Sequence, residues 1–313
     1  MDKHGSGSKA LLGCMAAVLA AFMAACGGDE IFGTIGGPGG AGPAGLGPSL
    51  GAAGALGGFS GGGAAGATNQ GILTQINGGN MATTATAPTS VTGFHDSAGD
   101  IYTETGSNIG AVSGLIYTCT TSTTGPTNPV AVAPNTNNPA SCAIAQQALL
   151  DAQAAFLDLS PASRPGGQNV GANLSGLTLA PGIYTAPAGS FLIENNSVDP
   201  AGDLTLDGQG NANAVWVFQM PSSTLTVGGP GAAFPRSVNC VNGCQPKNVF
   251  WYVGSSATIN AAGGGTMVGT IIASDAISFG TPTASPVTTL NGRAMALNAS
   301  VTLVNTVINI PAP

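Results

Sequence analysis

Four stretches near the end of the chain decide the fold: AVWVFQMPSSTLTV (214–227), NVFWYVGSSATIN (248–260), TMVGTIIASDAISF (266–279) and TLNGRAMALNASVTLVNTVINI (289–310). Each pairs a short apolar run with a Ser/Ala/Asn turn, followed by a hydroxyl residue and then an apolar one. The pairs are Thr224-Leu225, Thr258-Ile259, Ser278-Phe279 and Thr302-Leu303, at spacings of 34, 20 and 24 residues. Irregular spacings of this order suit solenoid coils joined by loops of varying length. One coil cannot bury its own apolar face, so coils must stack and share a core. The pattern predicts a β-solenoid.

Working outward, composition narrows the possibilities. Of 313 residues 50 are Gly, and only 6 are basic and 13 acidic, for a net charge of −7. So much Gly disfavours an ordinary helical protein. So few charges leave little material for acid–base catalysis. The basic residues Lys3, Lys9, Arg164, Arg236, Lys247 and Arg293 form no cluster along the chain, and nucleic acid is excluded as a partner because phosphate binding needs grouped cations.

The amino terminus reads as a targeting signal over residues 1–25. Lys3, His4 and Lys9 make a positive start, and Leu11 to Met23 is an apolar run too short to span a bilayer. It ends in Met23-Ala24-Ala25-Cys26-Gly27, which resembles the lipobox of bacterial lipoproteins. That resemblance implies cleavage before Cys26, a lipid on its thiol, and a chain exported and anchored to the cell envelope, at the outer membrane in a diderm. The rival reading is simple secretion with cleavage near Ala25.

Residues 26–68 are expected to be a flexible Gly/Ala/Pro-rich linker, and 69–313 one domain. Within that domain SCAIAQQALLDAQAAFLDL (141–159) is the one strong helix, with Ser141 as its cap and Ala145, Leu149, Ala152, Phe156 and Leu159 on one face. At about 28 Å it would match five or six coils stacked about 4.8 Å apart. Four cysteines follow Cys26, an even number that in an exported chain favours disulfides over metal or catalysis. Of three connectivities the local one is expected: Cys119–Cys142 and Cys240–Cys244.

The segments LSGLTLAPGIYTA, DLTLDGQGNANAVWVFQM, NVFWYVGSSATIN, GTIIAS and LNGRAMALNASVTL are together similar to the bacterial and fungal ice-binding proteins of the DUF3494 type, in order over residues 71–310 and with the helix included. The resemblance implies a mainly β fold: a discontinuous right-handed β-solenoid of triangular cross-section with one α-helix packed alongside. It also implies adsorption to an ice crystal through one flat side. Separately, no cofactor and no catalysis are expected of so charge-poor a chain, and it is expected to act as a monomer. The chain departs from the family in its Gly-rich tether, the Cys119–Cys142 loop and the NCVNGCQPK insertion, and it lacks a long regular Thr-x-Thr ladder.

Such adsorption has a physical basis. A rigid grid of methyls and hydroxyls, spaced about 4.8 Å between coils and about 6.6 Å along a strand, can hold surface water in an ice-like lattice. Many weak contacts then add with little ordering cost. The candidate ice-binding residues are Thr224, Thr226, Thr258, Asn260, Ser278 and Thr302, alternating with inward Leu225, Ile259, Phe279 and Leu303. Any one of them also fits an ordinary exposed strand position. Thr83, Thr84 and Thr86 form a second, weaker row.

Other motifs have blander readings. His95-Asp96 lacks a nucleophile motif and reads as a turn. Asp96, Asp100 and Glu104 miss the EF-hand spacing. Asp207-Gly208-Gln209-Gly210-Asn211 lacks the third Gly of a phosphate loop and is a turn between strands. Trp216, Trp251 and Tyr252 are expected in the core. The alternative function is a non-catalytic cell-surface adhesin or structural module for polysaccharide or protein, which would need Tyr102, Tyr117 and Tyr184 lined up outside. A polysaccharide-active enzyme would need clustered outward acids.

Overall fold

The computed structural model describes residues 47–62, 66–87, 89–126, 139–195, 200–229 and 234–312. The expected signal peptide and Cys26 lie outside these residues. Among the described residues the strands form sheets of 13, 7 and 3 members, and nearly all pairings are parallel. Each coil contributes one strand to a helix-covered side, one to a second side and one to a third, for example Trp216–Met220, Leu225–Val227 and Val238–Val241. The β-solenoid expectation holds.

The stacking order is not the chain order. In the seven-stranded sheet the sequence of neighbours is Phe191–Ile193, Leu225–Val227, Ala257–Ile259, Ile277–Phe279, Val301–Leu303, Ala67–Asn69 and Val91–Thr92. The first strands of the domain therefore stack on the last coil. On the helix-covered side Leu56–Ser60 is wedged between Thr288–Ala296 and Asn80–Thr83, pairing in parallel with both.

That wedge corrects the linker expectation. Leu56–Ser60 is buried at all five positions, Phe59 completely, and Gly51–Ala55 forms a 3-10 turn against the helix. The glycines here are packing residues: a Cβ on Gly57 would lie 2.6 Å from Ile76, and one on Gly61 2.2 Å from the Leu297 carbonyl oxygen. Among the described residues, packing into the domain thus starts as early as Gly47, where a Cβ would lie 2.4 Å from the Phe250 ring, and Thr68 belongs to a strand.

Helix α1, Pro139–Leu159, runs along eight strands. Its 21 residues span about 31 Å, close to the height of about 34 Å for eight strands about 4.8 Å apart. It starts two residues before Ser141, which is no cap; the Ser141 hydroxyl accepts the Thr118 N–H at 2.8 Å. The buried stripe is Ala145, Ala148, Ala152, Ala155 and Leu159, with Leu149 and Phe156 at its margins. Small alanines at the contact line let the helix settle close onto Val217, Phe250, Ile272 and Met295. Phe156 stacks on Tyr252 with ring centroids 4.2 Å apart. Gln219, fully buried, donates to the Leu159 and Arg164 carbonyls at 3.0 Å each, and so satisfies the end of the helix from the sheet below.

Two long strands, Thr266–Ala273 and Thr288–Ala296, join the third side to the helix-covered side. Burial alternates along the first half of Thr288–Ala296 and is complete after Asn291. The change falls at the paired Gly269 and Gly292: Gly269 has φ +104, and a Cβ on Gly292 would overlap the Gly269 carbonyl oxygen. The main core inside the coils includes Trp216, Trp251, Phe191, Phe218 and Phe279, and Phe218 stacks on Trp251 at 4.1 Å. Both expected disulfides, Cys119–Cys142 and Cys240–Cys244, are present.

Candidate ice-contact face

The seven-stranded sheet carries the candidate site. Its strands are three residues long or shorter, with the outer two buried and the central one outward. Inward residues such as Leu225 and Val227, Ile277 and Phe279 lock each strand to the core. Register then aligns the outward residues in a single row: Leu192, Thr226, Thr258, Ser278, Thr302, Thr68 and Thr92. Apart from Leu192 at one end, every member is a hydroxyl residue.

Thr258 is exposed and the other hydroxyl residues of the row are half-buried, standing between neighbours rather than projecting from them. Among the described residues, no protein group hydrogen-bonds the hydroxyls of Thr226, Thr258, Ser278, Thr302 or Thr68, which leaves them to water; Thr92 donates to the Thr89 carbonyl at 3.0 Å. The row contains no ionisable side chain. The acids that adjoin these strands in sequence, Glu194 and Asp275, lie outside them, and Ser255 donates to Asp275 at 3.2 Å.

Four of the six candidates, Thr226, Thr258, Ser278 and Thr302, therefore fall in one line. Thr224 does not: it aligns with Ser256 in a neighbouring line, and the Ser190 hydroxyl lies between it and Ser223, at 3.5 Å and 2.7 Å. Asn260 is corrected outright. It is completely buried at φ +44, its side chain accepting from the Arg236 N–H and donating to the Arg236 and Gly264 carbonyls. It shapes the turn beneath the sheet and cannot touch a ligand. Sequence reasoning missed Thr68 and Thr92, the first because it was assigned to the linker, the second because its strand has only two residues. Thr83, Thr84 and Thr86 make no second row: Thr83 is buried, accepting a hydrogen bond from Ser60, and Thr84 donates to the Gly61 carbonyl.

The remaining polar motifs are structural. Asp96 caps its own turn, accepting from the backbone of Ala98, Asp100 and Ile116. His95 pairs with Glu104 at 2.7 Å. Asp207 accepts from Gln209 and Asn242, and these bonds hold its carboxyl below the usual range. Among the described residues no three His, Cys, Asp or Glu side chains gather as a metal site.

The fold and this face define a class: a charge-poor β-solenoid with a helix strapped to one side and a hydroxyl-bearing sheet on another. Comparison with known proteins narrows it. The sequence model of the ice-binding-like family matches residues 62–309, and the chain belongs to that family, a non-enzymatic one. An ice-binding protein of Nostoc sp. (strain HG1) is 38% identical over 160 residues, 51% of each chain. Ice-binding protein 1 of Shewanella frigidimarina is 32% identical over 104 residues, 33% of this chain and 10% of that protein. The chain thus spans about half the length of the first relative and a tenth of the second. Among solved structures, the DUF3494 domain of the Shewanella protein superposes with a TM-score of 0.63 at 23% identity, covering 86% of this chain and 99% of that one. An ice-binding protein from the Antarctic ascomycete Antarctomyces psychrotrophicus gives 0.57 at 25% identity, covering 85% and 100%.

Proposed function

We propose that this protein adsorbs to ice through the row from Thr226 to Thr92. The observation that carries the reading is the unbroken, in-register line of hydroxyls, most of them free of protein partners. Parallel strands repeat at about 4.8 Å, so such a line holds bound waters at a fixed interval on a backbone that is already rigid. Adsorption then needs little further ordering, and weak water-mediated contacts add along the row.

A polysaccharide-binding module has less support. Tyr102 and Tyr184 are 2% and 3% exposed, and Tyr117 packs toward the helix; no outward aromatic line exists among them for sugar rings to stack on.

The test is ice-affinity partition of the purified chain together with thermal hysteresis. The wild type should enter growing ice. Thr258→Tyr with Ser278→Tyr should stay in the liquid at an unchanged melting temperature. A wild type excluded from ice ends the reading. Export and a lipid anchor on Cys26 complete the proposal, with the chain acting as a monomer at the cell envelope. They rest on residues 1–26, and radiolabelled palmitate that fails to mark the wild type, or still marks Cys26→Ser, would overturn the anchor.

A further inference from the structure

Helix α1 is apolar on both sides. Ala145, Ala148, Ala152, Ala155 and Leu159 face the sheet. On the line opposite them Ala143, Leu150, Ala154 and Leu157 recur at helical spacing, and all four are exposed. Leu150 and Leu157, at 59% and 66%, are the two most exposed large apolar side chains among the described residues. An ordinary surface helix turns charged residues to water along such a line. Helix α1 has only two ionisable side chains, Asp151 and Asp158, and both are engaged elsewhere. Asp151 accepts the Ala52 N–H at 2.6 Å and a bond from Gln147 at 2.9 Å, and Asp158 pairs with Arg164.

The course of the chain says what covers this face. Residues 47–55 enter the domain on the helix-covered side: Ala52 bonds Asp151, and Ala53 shares one buried cluster with the helix alanines. Cys26, the lipid site proposed above, precedes Gly47 by 21 residues, which even fully extended reach no further than about 75 Å. We propose, building on that anchor, that the exposed line of α1 docks on a lipid surface, Leu150 and Leu157 entering the interfacial layer of the membrane that holds Cys26. A helix lying in that layer buries its apolar line there, and a lipid anchor becomes firm when a second contact joins it. The tether supplies that contact at high effective concentration, so two leucines serve where a free chain would not bind. Zwitterionic headgroups suit a line without cations on a chain of net charge −7; anionic ones would repel it. A partner helix suits it less, because no flanking ion pairs fix a register. The hydroxyl row belongs to a different sheet and stays uncovered.

The experiment uses tryptophan as a depth probe, since Trp216 and Trp251 are fully buried. Leu157→Trp and, on the third side, Val241→Trp are made in the processed chain. Each is held on phosphatidylcholine vesicles in two formats: by its own lipid, or by an amino-terminal oligohistidine tag on nickel-chelating lipid. Brominated acyl chains should quench Leu157→Trp in both formats and leave Val241→Trp bright. Adding Leu150→Glu should restore the Leu157→Trp emission at an unchanged melting temperature, because Leu150 is exposed. Leu157→Trp that stays bright in either format overturns the docking. So does sedimentation that finds the wild type dimeric and Leu150→Glu monomeric, which would give the face to a second copy. Palmitate that fails to mark the wild type while the tag-held Leu157→Trp is quenched removes the anchor and keeps the docking, so the two readings fail separately.

Discussion

Thr302 and Thr68 come from opposite ends of the domain, yet they are register partners in adjacent parallel strands and continue one outward row. The face exists only because the first coil of the chain seats itself on the last.

The amino-terminal strands are therefore part of the domain. A chain beginning at Gly47 should keep its melting temperature. One beginning at Asn69 loses Thr68 and the wedge residue Phe59. Emptying the Phe59 site alone is worth about 3–5 kcal/mol, and exposing both ladder edges adds to it. Circular dichroism should show the shorter chain melting at least about 10 °C lower or aggregating.

Leu192 ends the hydroxyl row on the strand paired with Leu225–Val227. Leu192→Thr lengthens the row by one place without touching the core. Thermal hysteresis should rise modestly. A fall would show that the row's end does not meet ice.

Gln219 joins sheet and helix. Gln219→Leu leaves the Leu159 and Arg164 carbonyls without this donor and the Thr185 hydroxyl without its acceptor. Buried unsatisfied groups cost about 1–3 kcal/mol each. Urea denaturation should report a loss of that order, with ice affinity per folded molecule unchanged because the residue lies on another side of the solenoid.

Asn260 should behave the same way. Asn260→Ala removes three hydrogen bonds, two of them buried, and places alanine at φ +44. Stability should drop by about 2 kcal/mol or more, whereas Thr258→Tyr, two residues earlier and outward, should leave stability intact and abolish adsorption.

Adsorption should also be insensitive to pH between about 5 and 9, because no group in the row titrates. Stability has an alkaline limit. Burial raises the Tyr184 phenol above its ordinary 10.0, and its hydroxyl donates to the Ala180 carbonyl. A folded-state pKa that is raised means the contribution is complete below the ordinary value and lost as pH climbs through the folded one. Tyr184→Phe should flatten that alkaline decline in a melting-temperature series.

Much of this was legible in the sequence. The alternation around Thr258, Ser278 and Thr302 exposed the strand period, and the spacing from Ala145 to Leu159 exposed the helix. The errors share a cause. LGGFS reads as coil because small residues look alike whether they are loose or tightly packed, and its partners, Ala294–Ala296, lie at the far end of the chain. Thr224 and Thr226 are equally plausible row members until register with Thr258 selects the second. Asn260 continues the polar alternation on paper, but its strand ends at Ile259 and the chain turns inward there. In each case a contact distant in sequence overrode a local pattern.

The wedge of Leu56–Ser60 also sets the order of events during folding. An emerging polypeptide holds this strand until Ala294–Ala296, its partner more than 230 residues further on, has been made, so the domain cannot close before then. Long-range parallel pairing of this kind is slow. That delay leaves the early strands without their final neighbours until the last coil has been made.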